Sequence, residues 1–320
     1  MVRVVNLKTS DFEAIRDGLP PLAPLLSDDL PLDAPLLQQY LCQYKFPVSQ
    51  GADSILRVGQ LSVGDYSICA YCWLPASSKG TTFLVHGYFD HVGLYNHLIK
   101  SLLDRGQTVV AFDLPGHGLS TGEPLAVDSF KSYQRVFRAL LECCNDLPRP
   151  FYGVGQSTGG AVLLGTLQEL FAQGADAPFK NTYLLAPLVR PWQWRRKLLK
   201  YWLLRWFVQR APREFAINSH DKDFLHFLEH GEPMQQRHIP LSWVSAMVQW
   251  ASDFADADPC PWPIAVLQGD MDTTVDGPYN LAQIARQFPS ARLDTIAGVM
   301  HHMVNEREDI RARVFNWIDL

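Results

Sequence analysis

Residues 149–165 read Arg-Pro-Phe-Tyr-Gly-Val-Gly-Gln-Ser-Thr-Gly-Gly-Ala-Val-Leu-Leu-Gly. An aromatic pair, Phe151-Tyr152, runs into a glycine-rich turn, and the turn runs at once into a helix-compatible apolar stretch, Ala161 to Phe171. At the turn, Gly155-Gln156-Ser157-Thr158-Gly159 fits G-x-S-x-G. Between a strand and a helix this pattern sets a serine on a turn so sharp that small residues must flank it, with the hydroxyl exposed above the sheet edge. The helix behind it aims its free N–H groups at the reacting atoms. The same residues carry a loosened dinucleotide fingerprint, Gly153-x-Gly155-x-x-x-Gly159. That reading requires an acidic residue at the end of the next strand to hold a ribose. The next strand candidate, Thr182 to Pro187, has none. The serine reading therefore leads, and it has to find a base and an acid elsewhere in the chain.

Working outward, continuous apolar strands alternate with amphipathic helices. Thr81–Val85, Thr108–Phe112 and Pro150–Val154 read as buried strands, with helices over Val92–Arg105 and Val127–Cys144. After an interruption the alternation resumes with strands at 264–267 and 291–296 and helices at 278–288 and 304–318. Ile55–Val58 and Tyr66–Trp73, joined through Gly64-Asp65, read as an antiparallel hairpin that opens the sheet. This pattern specifies an α/β fold, a mostly parallel sheet covered on both faces. The expected organisation is an N-terminal accessory segment over 1–55, a core formed by 56–187 and 259–320, and a helical cap over 188–258 inserted into that core. Residues 1–55 are broken by Pro20, Pro21, Pro24, Pro31 and Pro35, with one short helix expected over Pro35–Tyr44.

Composition narrows the classes. The chain has 320 residues, of which 47% are apolar, so it can bury a sizeable core. A net charge of −5 gives no electrostatic case for nucleic acid as a partner. Cys69 and Cys72 form a C-x-x-C within a strand, where positions i and i+3 face opposite ways, so they suit neither a shared metal nor a redox pair. All six cysteines read as reduced thiols of a cytoplasmic protein. The first residues lack an apolar run of signal-peptide length. No stretch reaches the roughly 18 apolar residues that span a bilayer.

A serine hydroxyl needs a base within hydrogen-bond reach, and the base needs an orienting carboxylate. In a parallel α/β sheet these groups gather in loops at the carboxyl ends of strands, in the order Ser, acid, His. The loop after Leu267 offers Asp270 and Asp272; the loop after Ile296 offers His301 and His302. Spacing alone leaves both choices open. An oxyanion needs two N–H donors. One is expected from Thr158, after the serine, and the other from Tyr88 in the loop His86-Gly-Tyr-Phe-Asp-His91. His86 fits a turn role rather than a base. The loop Asp113-Leu-Pro-Gly-His-Gly-Leu-Ser120 is expected to pack near the site without a catalytic role, and it is no phosphate loop because no Gly-Lys-Ser/Thr follows.

Five ordered motifs now stand together: His86-Gly-x-x-x-His91, Asp113-x-x-Gly-His117-Gly-x-Ser120, Gly155-x-Ser157-x-Gly159-Gly160, Gly269-x-x-Asp272-x-x-Val275 and Gly298-x-x-His301. Over residues 81–320 the chain resembles the α/β-hydrolases of the monoglyceride lipase and lysophospholipase group, the serine aminopeptidase-like hydrolases. The resemblance implies Ser157 as nucleophile, Asp272 rather than Asp270 as acid, His301 as base, and the Tyr88 and Thr158 N–H groups as oxyanion donors. Three positions depart from the group: Thr158 stands where Met or Leu is usual, Tyr88 where a small residue is usual, and His302 where Glu is common. Residues 1–55 lie outside the resemblance.

The insertion at 188–258 is unusual in composition. Six of the nine tryptophans fall in it, and eight basic residues but no acidic one lie between Arg190 and Arg213. It is expected to cover the site, with Phe89, Trp202, Trp206, Trp243 and Met247 against the substrate and a basic, Trp-rich outer face in peripheral contact with a membrane. The expected activity is hydrolysis of a lipid-like carboxylic ester, of monoacylglycerol or lysophospholipid type, with no metal or cofactor. The alternatives are an aminopeptidase or amidase, for which Asp221, Asp223 or Glu229 would anchor an amine, and a non-catalytic binding protein on the same fold.

Overall fold

The computed structural model describes residues 7–22, 34–47 and 54–320. The prolines at 24 and 31 lie outside the described residues. In chain order, two short helices, α1 (Thr9–Asp17) and α2 (Pro35–Gln43), precede the hairpin β1 (Ser54–Val63) and β2 (Tyr66–Pro75). There follow β3 (Thr81–Val85), α3 (Asn96–Asp104), β4 (Thr108–Phe112), α4 (Phe130–Cys143), β5 (Phe151–Gln156), α5 (Thr158–Ala172) and β6 (Asn181–Leu185). The insertion holds α6 (Trp194–Leu204), the short strands β7 (Arg210–Pro212) and β8 (His238–Pro240), α7 (Lys222–His226) and α8 (Leu241–Asp256). The chain closes with β9 (Ile264–Gly269), α9 (Gly277–Gln287), β10 (Arg292–Ile296) and α10 (Glu308–Trp317).

Eight strands form one sheet in the order β1-β2-β4-β3-β5-β6-β9-β10, with β7 and β8 in a separate pair. The hairpin and the β2–β4 junction are antiparallel; every other pairing in the large sheet is parallel. All residues of β3, β4 and β5 are buried, which is why they read as unbroken apolar runs rather than as alternation. The strands divide their side chains between two cores. Tyr183, Leu185, Ala265 and Leu267 join α1, α2, α3 and α10 on one face. Leu184, Ile264 and Val266 join α4, α5, α8 and α9 on the other. Cys69 and Cys72 fall in opposite cores, as their strand positions require.

Three helix starts, those of α3, α4 and α10, lie later than periodicity alone predicts. Residues 92–95 form a 3-10 turn before α3. The helix expected from Val127 begins at Phe130, where Ser129 accepts the Lys131 N–H, a capping bond that supplies one of the orphan donors of the first turn. The last helix begins at Glu308 rather than at Val304, after a 3-10 turn at 303–305.

Two parts of the expected organisation need correction. Residues 54 and 55 belong to β1 rather than to the segment before it; α1 and α2 pack on the sheet, with Phe12, Ile15, Leu37, Tyr40, Leu41 and Tyr44 buried in the same core as Tyr71 and Trp73. Within the insertion, α8 is core rather than cap, because Trp243, Ala246, Met247, Trp250 and Phe254 pack with α4 and α9. Its i, i+3, i+4, i+7 spacing of apolar residues faces it inward.

Candidate active site

Ser157 sits between β5 and α5 with φ 54° and ψ −115°. This backbone region is costly for any residue with a side chain, and hydrogen bonds from both sides hold it. The Ser157 N–H donates to the Leu185 carbonyl at 2.9 Å, and the Ser157 carbonyl accepts from Leu188 at 3.0 Å. The flanking glycines answer to crowding. A Cβ at Gly159 would stand 2.1 Å from the Val85 carbonyl oxygen, and one at Gly155 would stand 2.7 Å from Gly159. Strand and helix therefore approach as closely as they do only without side chains there.

The carboxyl ends of β5, β9 and β10 bring three side chains into line. His301 Nε2 lies 3.0 Å from Ser157 Oγ, and His301 Nδ1 lies 2.8 Å from Asp272 Oδ2. The carboxylate is fully engaged: Oδ1 accepts the N–H groups of Thr274 and Val275, and Oδ2 also accepts from Gln268 Nε2. Burial alone would raise the Asp272 pKa, but His301 and these donors outweigh burial and hold it below the usual carboxylate range. Asp270, the rival acid, is exposed and accepts the Gly298 N–H at 2.7 Å. His302, the rival base, turns away and places Nε2 3.1 Å from Asp90 Oδ1.

The loop 86–91 is built by its own polar groups. Tyr95 Oη accepts the Gly87 N–H at 2.9 Å and donates to Asp90 Oδ2 at 2.9 Å. His86 Nε2 accepts the Leu114 N–H, so its Nδ1–H donates to the Gly87 carbonyl. Burial, reinforced by the neighbouring His117, drops the His86 pKa to about 3 and keeps the ring neutral. The turn role expected of His86 is the one it occupies. Thr158 opens α5, so its N–H lacks a carbonyl one turn earlier.

The residues expected against substrate separate into two groups. Trp243 and Met247 are buried, and Trp243 stacks on the Tyr88 ring at 3.8 Å. Tyr88 in turn donates its hydroxyl to the Leu125 carbonyl. Phe89 adopts a positive φ of 69°, its carbonyl accepts from Gln235 Nε2, and Arg213 lies 3.7 Å over its ring. Trp202 and Trp206, by contrast, are 48% and 76% exposed on and just beyond α6, with Arg205 stacked on both. Their ring partners among the described residues are Tyr201 and Arg205, not Ser157, Asp272 or His301. The basic residues around them carry the indoles outward, a consequence invisible in a list of apolar residues.

Several residues that organise the site lay outside the sequence reading. Gln156 Oε1 accepts the Val304 N–H, tying the serine turn to the histidine loop. Glu306, fully buried, accepts the Met300 N–H just before His301 and binds the N–H and Nδ1 of His220 from the insertion. Gln156 occupies the variable position of the serine motif. Glu306 follows His301 by five residues, and no motif marks it. Among the described residues no group of three or more His, Cys, Asp or Glu is placed to hold a metal ion.

A mainly parallel sheet with a serine on the β5–α5 turn, and a histidine and an aspartate on later strand ends, is the α/β-hydrolase fold. The sequence profile of the family described as "Serine aminopeptidase, S33" matches residues 76–308, and the chain belongs to that family. Among curated relatives, human monoglyceride lipase is 33% identical over 129 residues, which cover 39% of this chain and 41% of the human protein. The match thus spans about two fifths of that relative. A monoglyceride lipase homolog of monkeypox virus is 26% identical over 271 residues, 80% of this chain and 93% of the viral protein. Among solved structures, a soluble variant of monoglyceride lipase from Saccharomyces cerevisiae superposes with a TM-score of 0.69 at 18% identity, covering 85% of this chain and 96% of that one. No helix among the described residues is long and apolar enough to cross a membrane.

Proposed function

We propose that this protein is a serine hydrolase that cleaves carboxylic esters of lipid-like substrates, of monoacylglycerol or lysophospholipid type, through an acyl-enzyme on Ser157. The hydrogen-bonded chain from Asp272 through His301 to Ser157 Oγ carries the proposal. His301 Nε2 takes the hydroxyl proton as Oγ attacks the ester carbonyl, and Asp272 stabilises the imidazolium that results. The Tyr88 and Thr158 N–H groups receive the oxyanion. Collapse of the tetrahedral species releases the alcohol, which takes its proton from His301. Water then enters, gives a proton to His301 and attacks the acyl carbonyl; as the second tetrahedral species collapses His301 returns that proton to Ser157 Oγ and the fatty acid leaves.

Lipid-like substrates are favoured by the relatives named monoglyceride lipase and by the surface around α6. Leu199, Leu203, Trp206 and Phe207 are 62%, 63%, 76% and 83% exposed, among eight basic residues without an acidic one between 190 and 213. Apolar side chains surrounded by cations fit peripheral contact with an anionic membrane face. All six cysteines are free thiols, in keeping with a reducing, cytoplasmic setting. The family's description as an aminopeptidase keeps an amide substrate as the second reading. Of the three acids that could anchor an amine, Asp221 caps α7 through the Phe224 N–H, and Asp223 and Glu229 are exposed.

The test is hydrolysis of a p-nitrophenyl ester series from acetate to palmitate, with Ser157→Ala as control. A peak at medium or long chains that the variant loses is expected. Full activity in Ser157→Ala, or turnover of aminoacyl amides and no ester, overturns the proposal.

A further inference from the structure

Three parts of the chain that are far apart in sequence meet at one buried carboxylate. Tyr44, at the end of α2, donates its hydroxyl to Glu232 Oε1 at 2.7 Å. Glu232 belongs to the insertion, and its side chain is wholly shielded from solvent. Its other oxygen lies 3.6 Å from Nε2 of His91, the last residue of the loop 86–91. The Tyr44 ring meets the His91 ring edge to face at 4.7 Å, and the Tyr44 carbonyl accepts from Asn96 Nδ2. Burial alone would lower the His91 pKa; Glu232, Asp113 and Asp90 outweigh burial and raise it. His91 Nδ1 accepts the Gly93 N–H at 3.2 Å, so it is the Nε2 side of the ring that faces the carboxylate.

The carboxylate also shapes the chain that follows it. Glu232 Oε1 accepts the Met234 N–H at 2.9 Å, and the Glu232 carbonyl accepts from Gln235. That turn aims Gln235 Nε2 at the Phe89 carbonyl, 3.0 Å away. Phe89 holds a positive φ directly after Tyr88, and the chain of bonds that begins at Tyr44 ends on the carbonyl of the Phe89–Asp90 peptide, in the turn that follows Tyr88.

Resting on the ester-hydrolase reading above, we propose that Tyr44 is a positioning residue for the active site. By seating Glu232 between His91 and the 232–235 turn, it restrains the 88–90 turn next to the Gly87–Tyr88 peptide, whose N–H receives the oxyanion. The N-terminal segment thereby belongs to the working enzyme. A buried acceptor left with one donor fewer will shift to recover it, and displacement of a catalytic donor by a fraction of an ångström is felt chiefly in the transition state.

The experiment measures kcat, KM and the rate of covalent labelling by a fluorophosphonate for the full chain and four variants. Tyr44→Phe keeps the ring and removes the hydroxyl. Glu232→Ala removes the carboxylate, and Glu232→Gln keeps an acceptor for Tyr44. Phe12→Leu loosens the same segment against Tyr40 without reaching Glu232. Tyr44→Phe and Glu232→Ala should lose about 5- to 20-fold in kcat, with KM within about twofold and a matching fall in labelling rate. Glu232→Gln should recover most of that loss, and Phe12→Leu should lower the Tm while leaving kcat in place. Wild-type kcat in Tyr44→Phe overturns the proposal, as does a kcat that follows Tm equally across all four variants. Absence of Ser157-dependent labelling in the wild type instead overturns the hydrolase reading on which it rests.

Discussion

Asp90 Oδ1 lies 3.1 Å from Nε2 of His302, one residue beyond the histidine that faces Ser157. Two Asp–His pairs thus hold consecutive positions of one loop, the first directed at the serine and the second at the loop 86–91. Burial would raise the Asp90 pKa, but His302, His86 and Tyr95 outweigh it and hold the carboxyl far below its ordinary value. Asp90→Asn keeps the size and removes the charge that ties the two loops. It should lower kcat about tenfold with little change in KM, because the geometry it maintains matters most once the oxyanion forms. Steady-state kinetics on a p-nitrophenyl ester check this; an unchanged kcat counts against a coupling of the two loops.

The two aspartates after β9 make a sharp pair of substitutions. Asp272→Asn should cost on the order of 10⁴ in kcat, since an amide in that place favours the wrong imidazole tautomer. Asp270→Asn should stay within about twofold, because that side chain reaches only the Gly298 N–H. Equal losses in both would mean that the acid has been misassigned.

His86 and His117 supply a pH dependence of stability. Burial lowers their folded-state pKa values to about 3 and about 4. The unfolded chain binds protons at both near the ordinary imidazole value of about 6.5, and the folded chain refuses them. Stability is therefore full above that value and declines as pH falls from about 6.5 toward 4, by about 1.4 kcal/mol per pH unit for each histidine. Urea midpoints between pH 7.5 and 5 report the slope, and His117→Gln should roughly halve it. A flat profile over that interval contradicts the buried, neutral assignment.

The surface around α6 predicts a binding phenotype separable from catalysis. Sedimentation with vesicles containing anionic phospholipid should retain the wild type and release Trp206→Ala/Phe207→Ala, with turnover of a soluble short-chain ester within about twofold. The effect should weaken as salt rises, since the basic residues act through a screened field. Equal binding to neutral vesicles in high salt would remove the electrostatic part of this picture.

Much of the fold was legible because parallel strands buried on both faces must be apolar throughout, as β3, β4 and β5 are. The serine was legible because a sharp strand-end turn demands the glycines at 155 and 159; the loops after the later strands offered Asp270 or Asp272 and His301 or His302, and only the resemblance to a known family chose within each pair. Nothing comparable marks Glu232 or Tyr44. They lie 188 positions apart and meet through tertiary packing that leaves no periodic trace. The exposure of Trp202 and Trp206 was equally hidden, because an indole next to an arginine stacks on it at a surface as readily as it packs inside. The inward face of α8 was present in its spacing, but its place in a basic, Trp-rich insertion hid its membership of the core.

That membership bears on how this protein could be remodelled. Trp243 stacks on Tyr88, Trp250 lies flat against Phe130 and donates its indole N–H to the Leu188 carbonyl, and Phe254 packs beside Phe288. A chimera that exchanged residues 188–258 as a cassette would therefore strip one flank of the scaffold together with the cover it meant to replace. Grafts that graft only the stretch between Pro191 and Pro240 leave that flank in place, so substrate range could be re-engineered without asking the recipient to rebuild its own interior.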